Sequence, residues 1–207
     1  MNSIQINNLG KRYADQWVFR NFSDTFSSNQ KIAITGYNGS GKSTLLQIIA
    51  AFQSATEGGI IFHINGLVIT PDNWYKYISC GAPYLDLHED LTLRENIRFF
   101  CSFKPVQKSL TDEQFAEIAE LKSALDKPLK HFSSGMRQRV RLSLAILADV
   151  PVLLLDEPLS NLDRNGMNWY INMIKVFAQQ KLVVVCSNNH QEEISFCEKR
   201  IEIDKYK

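Results

Sequence analysis

The nine residues Gly36-Tyr37-Asn38-Gly39-Ser40-Gly41-Lys42-Ser43-Thr44 constrain this chain more than any other segment. They fit the phosphate-loop pattern G-x-x-x-x-G-K-[ST], with Gly36 and Gly41 as the outer glycines. The apolar, β-branched run Lys31-Ile32-Ala33-Ile34-Thr35 precedes them and reads as a buried strand. Leu45-Leu46-Gln47-Ile48-Ile49-Ala50 follows and suits a helix. Strand, glycine loop and helix in that order turn a pattern match into a site. Backbone N–H groups of the loop, through Asn38, Gly39 and Ser40, can converge on one phosphate, and the helix N-terminus adds partial positive charge. Lys42 is placed to reach β- and γ-phosphates, and the Ser43 hydroxyl, next to Thr44, to ligate Mg²⁺. A glycine-rich turn with a chance lysine would not explain why motif and flanks agree.

At 207 residues and 44% hydrophobic, the chain can bury the core of one large domain, or of a core with a subdomain. Its 23 basic and 22 acidic residues leave a net charge of +1, so no field of one sign draws it to nucleic acid or anionic lipid. Cys80, Cys101, Cys186 and Cys197 form no C-x-x-C pair and no zinc spacing, which points to buried, reduced thiols. Residues 1–9 lack a basic segment followed by an apolar one, so no signal peptide is expected. No apolar run approaches the roughly 20 residues a membrane helix needs. If the protein works at a membrane, another chain spans it.

Ile4 and Ile6, alternating with polar residues, predict a half-buried strand over 3–7. Val18, Phe19, Phe22 and Phe26 predict a second over 17–26, with 9–15 as the turn between them. Residues 60–64 and 67–69 flank Asn65-Gly66, a strong hairpin signal, and 77–80 reads as a further short strand. After Pro83 the pattern turns helical, over 91–103 (Thr92 as N-cap, Glu95 at capping-box spacing), 111–125 and 134–148. Near-continuous aliphatic runs return at 150–155 and 182–187, as in parallel strands covered on both faces. A helix over 165–180 lies between them, and 201–203 reads as a last strand. The expected organisation is one domain, 1–207, with a core and β-subdomain from 1–81 and 147–207 and a helical insert over 82–146.

Val152-Leu153-Leu154-Leu155-Asp156-Glu157 is an aliphatic strand ending in two acids, the Walker B pattern. Asp156, at the strand's carboxyl end, is placed to hold Mg²⁺ through water and Glu157 to polarise an attacking water. Ligands of open α/β sheets gather at such strand ends. Phe132-Ser133-Ser134-Gly135-Met136-Arg137-Gln138-Arg139 lies shortly before this strand, and Ser160-Asn161-Leu162-Asp163 just after it. Together they resemble the nucleotide-binding subunits of ABC transporters, whose signature reads L-S-G-G-Q and whose D-loop reads S-x-L-D. Phosphate loop, helical insert, signature, Walker B and D-loop stand in that family's order, and the resemblance covers essentially the whole chain.

The resemblance implies an α/β fold with a P-loop NTPase core: a mainly parallel sheet, an antiparallel β-subdomain and a helical insert. It implies ATP and Mg²⁺ as ligands, ATP hydrolysis, and head-to-tail dimerisation with a second ABC subunit around two ATP molecules. Ser133, Ser134 and Gly135 would cap the ATP held by the other subunit. A hydroxyl, backbone N–H groups and a helix N-terminus all suit an anion. Asp163, from the D-loop, counts among the nucleotide-binding residues. Tyr13 matches the aromatic residue that stacks on adenine; a strand-end core tyrosine is the alternative. A separate integral-membrane permease is implied, which places the chain in the cytoplasm, peripheral on the inner face of the cell membrane, with no nucleic acid as partner. The permease would dock beside the insert, where Tyr84 and Leu87 are expected to be partly exposed and most of Leu85, Phe99, Phe100 and Phe103 to be core.

The chain also departs from the family pattern. Phe132 replaces Leu, Ser134 replaces the first signature Gly and Met136 replaces Gln, while Ser133 and Gly135 remain. The family's Gln where the sheet meets the insert is missing from Ser79-Cys80-Gly81-Ala82-Pro83-Tyr84-Leu85. Counting back from Glu192-Glu193 places Asn189 at the family's switch His, with His190 one residue late; a one-residue shift of the loop would restore His190. Asn can hydrogen-bond a γ-phosphate but cannot share a proton's charge as His can. Two further readings therefore stay open. One is a regulatory ABC subunit that hardly turns ATP over beside an active relative. The other is a soluble ABC ATPase acting on nucleic acid or ribosomes, although the basic extensions of such chains are lacking.

Overall fold

The computed structural model describes residues 2–107, 110–188 and 190–207, and their strands divide between two sheets. In the first, β1 (Ser3–Tyr13) runs antiparallel to β2 (Gln16–Ser27) and β4 (Glu57–Ile64), with β5 (Leu67–Ile69) at the edge beyond β4. The β1 strand continues through the stretch expected to turn. Register shifts after Ile6 and Leu9, with Asn8 at φ 47°, absorb the irregular pattern, and only Ala14 and Asp15 are left to reverse the chain. Tyr13 is thereby the last residue of a strand.

The second sheet is parallel, in the order β6 (Ile78–Gly81), β7 (Val152–Asp156), β8 (Leu182–Ser187), β3 (Lys31–Thr35), β9 (Lys199–Glu202). Its residues alternate between two cores. Val152, Leu154, Val184, Cys186, Ile32 and Ile34 share one with the antiparallel sheet and α1 (Lys42–Ile49). Leu153, Leu155, Val183, Val185 and Ala33 share the other with the later helices. Both faces are dry, which is why β7 and β8 read as unbroken aliphatic runs. Asp156 pairs with Cys186 and Ser187 with Thr35, so the carboxyl ends of β7, β8 and β3 finish side by side where the phosphate loop leaves β3.

Between β6 and β7 lie α2 (Leu93–Phe103), α3 (Asp112–Ile118) and α4 (Ser134–Leu147); α5 (Arg164–Phe177) follows β7 and α6 (Gln191–Ile194) follows β8. Thr92 and Glu95 form a capping box on α2, and Thr111 and Gln114 form another on α3. The helix expected over 111–125 stops at Ile118. Glu120 turns left-handed (φ 57°), and only a 3₁₀ turn over Lys122–Ala124 follows, which lets Leu121 and Leu125 drop into the core. Phe99 and Phe103 are 46% and 63% exposed, so the expectation that most of this aromatic-rich stretch is core does not extend to them. The inward stripe of α2 is Leu93, Asn96 and Ile97, and Phe99 and Phe103, a turn apart, fall outside it. Leu85, Leu87 and Phe100 are half-buried. The four cysteines are unpaired; Cys186 is buried and the others half-buried. Among the described residues no helix is long and apolar enough to cross a membrane.

Candidate functional site

The phosphate loop closes at Gly41, where φ is 104° and a methyl group would come within 2.5 Å of Val18 Cγ1. The first residue of α1, Lys42, is buried beneath the loop. Its Nζ donates to the carbonyls of Gly36 and Tyr37 (3.0 Å each) and to Asn188 Oδ1 (2.6 Å). Asn188 Nδ2 donates to Glu157 Oε1 (2.6 Å). One carboxamide therefore bridges the loop lysine and the second Walker B acid. Glu157 has the left-handed φ of 45°, held by its N–H on the Cys186 carbonyl (3.0 Å), a conformation that persists in a non-glycine residue only where its surroundings over-determine it. Asn38, Gly39, Lys42, Ser43, Thr44 and Glu157 border a cleft of about 370 Å³.

Asn188 was not singled out by counting from Glu192-Glu193. Of the residues that were, His190 is exposed and borders the adjoining cavity with Glu157 and Asn188, and Asn189 lies outside the described residues. The usable signal was the strand end: Asn188 is the first residue past β8, beside the end of β7 that carries Asp156 and Glu157. Glu193 fixes this turn. Its buried carboxylate accepts from the Ser187 hydroxyl and from Leu159 N (3.1 Å), and burial raises its pKa.

Asp156 is 2% exposed, and its Oδ1 is buried with no hydrogen-bond partner. Burial pushes its pKa up to about 6 against the opposing pull of the adjacent Ser43 hydroxyl. An unpartnered carboxylate oxygen beside a hydroxyl at the foot of a phosphate loop fits a hard, oxygen-seeking cation. Among the described residues no group of three His, Cys, Asp or Glu can hold a metal by itself, so the rest of the shell would be phosphate oxygens and water.

The raised value has a measurable consequence. Between the ordinary 3.8 and about 6 the folded state keeps a proton that the unfolded state has released, so stability falls as pH rises through that window and is level above it. The unfolding free energy of the nucleotide-free protein from urea titration, compared with Asp156→Asn, is expected to drop from pH 4 to pH 6 by an amount on the order of 2 kcal/mol. A difference that stays constant with pH would place Asp156 in contact with water instead.

The signature segment stands apart from this cleft in sequence and is built on α4. Ser133 caps that helix, its Oγ accepting from Met136 N (3.2 Å), and Ser133 and Ser134 are exposed. A methyl group at Gly135 would meet the Asn161 carbonyl at 2.9 Å, so signature and D-loop are packed together. Asp163 accepts from Gly166 N (2.8 Å) and caps α5. Phe132, in place of Leu, is buried. Tyr13 is 49% exposed, with Lys11 Nζ 5.0 Å over its ring and its hydroxyl donating to Gln53 Oε1 (2.7 Å). Tyr84 is 38% exposed as a residue, and burial raises the pKa of its hydroxyl.

A sequence model of the ABC transporter family matches residues 19–160. The chain belongs to the ABC transporter family. This ABC chain is 34% identical over 167 residues to the sn-glycerol-3-phosphate import ATP-binding protein UgpC of Ruegeria pomeroyi, covering 79% of this chain and 47% of that protein. It is 33% identical over 187 residues to the teichoic acids export ATP-binding protein TagH of Enterococcus faecalis (88% and 39%). An uncharacterised ABC transporter ATP-binding protein of Bacillus subtilis, YcbN, is 28% identical over 187 residues (90% and 61%). The chain thus spans between 39% and 61% of the length of these relatives. Among solved structures, a putative ABC transporter ATP-binding protein from Pyrococcus furiosus superposes with a TM-score of 0.80 at 22% identity, over 99% of this chain and 98% of that one. A dimeric bacterial ABC transporter cassette superposes with a TM-score of 0.81 at 22% identity (97% and 95%). The fold is that of the α/β ABC cassette, with its parallel sheet, antiparallel sheet and helices.

Proposed function

We propose that this chain is the ATP-binding and hydrolysing subunit of a membrane transporter and works through ATP-driven head-to-tail dimerisation. The observation that carries the reading is the meeting of Lys42, Asn188 and Glu157, with Asp156 and Ser43 beside them, at the ends of β7 and β8. Lys42 exchanges its carbonyl and amide partners for the β- and γ-phosphate oxygens. Ser43 and Asp156 hold Mg²⁺, which when bound neutralises charge on the phosphates. Glu157 takes a proton from the attacking water, and Asn188 keeps the Glu157 carboxylate turned toward that water. The exposed hydroxyls of Ser133 and Ser134, at the N-terminus of the 14-residue α4, are offered to the ATP of a second subunit. Residues 1–81 and 147–207 form the nucleotide-binding core and 82–146 the arm that presents the signature. Tyr13 faces the base.

The groove of about 200 Å³ between the β6–α2 loop and α2, lined by Leu85, Leu87, Phe99 and Phe100, receives the membrane-spanning partner and holds the chain on the cytoplasmic face. Relatives named as import and as export ATP-binding proteins both support the reading of a transporter subunit. Leu87→Asp is expected to abolish co-purification with a co-expressed permease while leaving ATP binding intact. Undiminished co-purification would count against docking here. The function itself is tested by Mg²⁺-dependent ATP hydrolysis of the purified chain. Tight ATP binding without turnover would favour a regulatory subunit beside an active relative, the reading to which the Asn at the switch and the absent Gln before α2 lend support.

A further inference from the structure

The end of the β1–β2 hairpin leans on the phosphate loop. Lys11 pairs with Phe19 and Arg12 with Trp17, so β2 holds one residue more than β1 between them, Val18. This bulged residue helps to line the nucleotide cleft, and its Cγ1 is the atom that a methyl group at Gly41 would strike. Tyr13, two residues beyond Lys11, is therefore carried on an element that touches the loop.

Tyr13 is held from two sides. Residues two apart on a strand share a face of the sheet, and Lys11 Nζ stands 5.0 Å over the Tyr13 ring. The ammonium is itself fixed by the Ser54 carbonyl (2.7 Å). The Tyr13 hydroxyl donates to Gln53 Oε1 (2.7 Å), and Gln53 Nε2 donates to Gln47 Oε1 on α1. Both ends of the Gln53 carboxamide are thus engaged, which sets its orientation. The backbone supports the same arrangement. Ala51 turns left-handed (φ 59°), and the N–H groups of Phe52 and Gln53 both donate to the Gln47 carbonyl (2.8 and 3.3 Å). Thr56 closes the far side, its N–H on the Gly10 carbonyl (2.8 Å) and its hydroxyl accepting from Arg12 N (3.0 Å). The loop after α1 is laced to α1 at one end and to β1 at the other.

These contacts put an exposed ring on a fixed mount. A strand-end tyrosine that is 49% exposed would otherwise turn among its rotamers, and binding would have to stop that motion. Here one ring face lies under an ammonium, and the hydroxyl is tied to the helix whose first turn carries Lys42 and Ser43. A base has the opposite face to stack on, at a spacing from the phosphate loop that is set before the nucleotide arrives.

We propose that Lys11 and Gln53 are positioning residues for the base of the nucleotide, Lys11 by covering the rear face of the Tyr13 ring and Gln53 by tying its hydroxyl to α1. The proposal rests on the nucleotide-site reading above. It concerns the base half of the ligand alone, so inorganic pyrophosphate, which suits the phosphate loop and has no base, is the internal control.

ADP and pyrophosphate, each with Mg²⁺, are titrated calorimetrically into the full chain; ADP brings no γ-phosphate to cleave or to offer a second subunit. Gln53→Leu, Tyr13→Phe and Lys11→Met are each expected to weaken ADP by about 2- to 10-fold, the cost of immobilising one side chain afresh, and to leave pyrophosphate unchanged. Gln53→Leu added to Tyr13→Phe costs nothing further, because the two changes remove one bond. In Tyr13→Ala neither Gln53→Leu nor Lys11→Met alters ADP affinity, a result that a merely structural role would not give. ADP affinity unchanged by Gln53→Leu or by Lys11→Met, a loss shared by pyrophosphate, or a loss that persists without the Tyr13 ring overturns the positioning role. A Tyr13→Ala chain that binds ADP as the unsubstituted one does moves the base away from Tyr13, which overturns the proposal and leaves the phosphate site standing. If neither ADP nor pyrophosphate binds the unsubstituted chain, the nucleotide site itself is overturned, and the proposal with it.

Discussion

Lys42→Ala is expected to weaken ATP binding by roughly 10²–10⁴-fold and to abolish turnover. The estimate takes the lysine's bonds to two phosphates as charge-assisted, at about 1.5–3 kcal/mol each. In the nucleotide-free protein Lys42 is 4% exposed, and its ammonium is satisfied by the Gly36 and Tyr37 carbonyls and by Asn188 Oδ1. It also opposes the rise of the Asp156 pKa. Its removal leaves Asp156 and Glu157 facing a polyanionic ligand with less positive charge to offset them, and it frees Asn188 from one of its two anchors. Titration calorimetry with Mg²⁺ and ATP reads the affinity directly. An alanine variant that binds ATP as the wild type does would mean that the phosphates lie elsewhere, and the meeting of Lys42, Asn188 and Glu157 would then be a packing device.

Most of the fold was legible because its parallel strands are dry on both faces. Ile32, Ile34, Leu153 to Leu155 and Val183 to Val185 leave no polar position for any competing pattern. Asn65-Gly66 and the Thr92–Glu95 box were legible for a different reason: their local chemistry admits few alternatives. The misread parts are those where tertiary contacts override local pattern. The 9–15 stretch looks like a turn until its bulges are seen to be paired on both sides by β2 and β4. The stretch after Ile118 has helical composition, yet Leu121 and Leu125 reach the core only if Glu120 breaks the helix.

The phosphate loop and the Walker B pair could be read because each is contiguous in sequence and the chemistry demands those residues in that order. Asn188 could not be found by counting, since a turn of variable length separates the end of β8 from Glu193. Its role appears only when the side chain is seen between Lys42 and Glu157. Aromatic residues in such a stretch are mostly core, which hides Phe99 and Phe103; their exposure on one flank of α2 marks a surface rather than an interior.

Glu157→Gln is expected to separate binding from chemistry, with turnover falling by about 10²–10⁴-fold, the usual worth of a positioned general base, and ATP affinity equal or higher. The geometry should survive the change, because the Oε1 of a glutamine still accepts the bond that Asn188 Nδ2 now gives. The left-handed φ of 45° is held by the Cys186 carbonyl and not by the side chain, so it should survive too. What is lost is the ability to take a proton from water. What is gained is one negative charge fewer beside Asp156, whose pKa is already raised in part by Glu157. If ATP joins two subunits through the exposed Ser133 and Ser134, a variant that binds but does not cleave must accumulate as the dimer. Light scattering on a sizing column should then show a monomer without nucleotide and twice that mass with ATP, whereas the unsubstituted chain returns to monomer as ATP is consumed. Undiminished hydrolysis by Glu157→Gln would move the base to another residue, with His190, across the adjoining cavity from Glu157, as the next to test. Loss of ATP binding along with turnover would mean instead that the carboxylate supports the loop, with Asn188 transmitting its absence to Lys42.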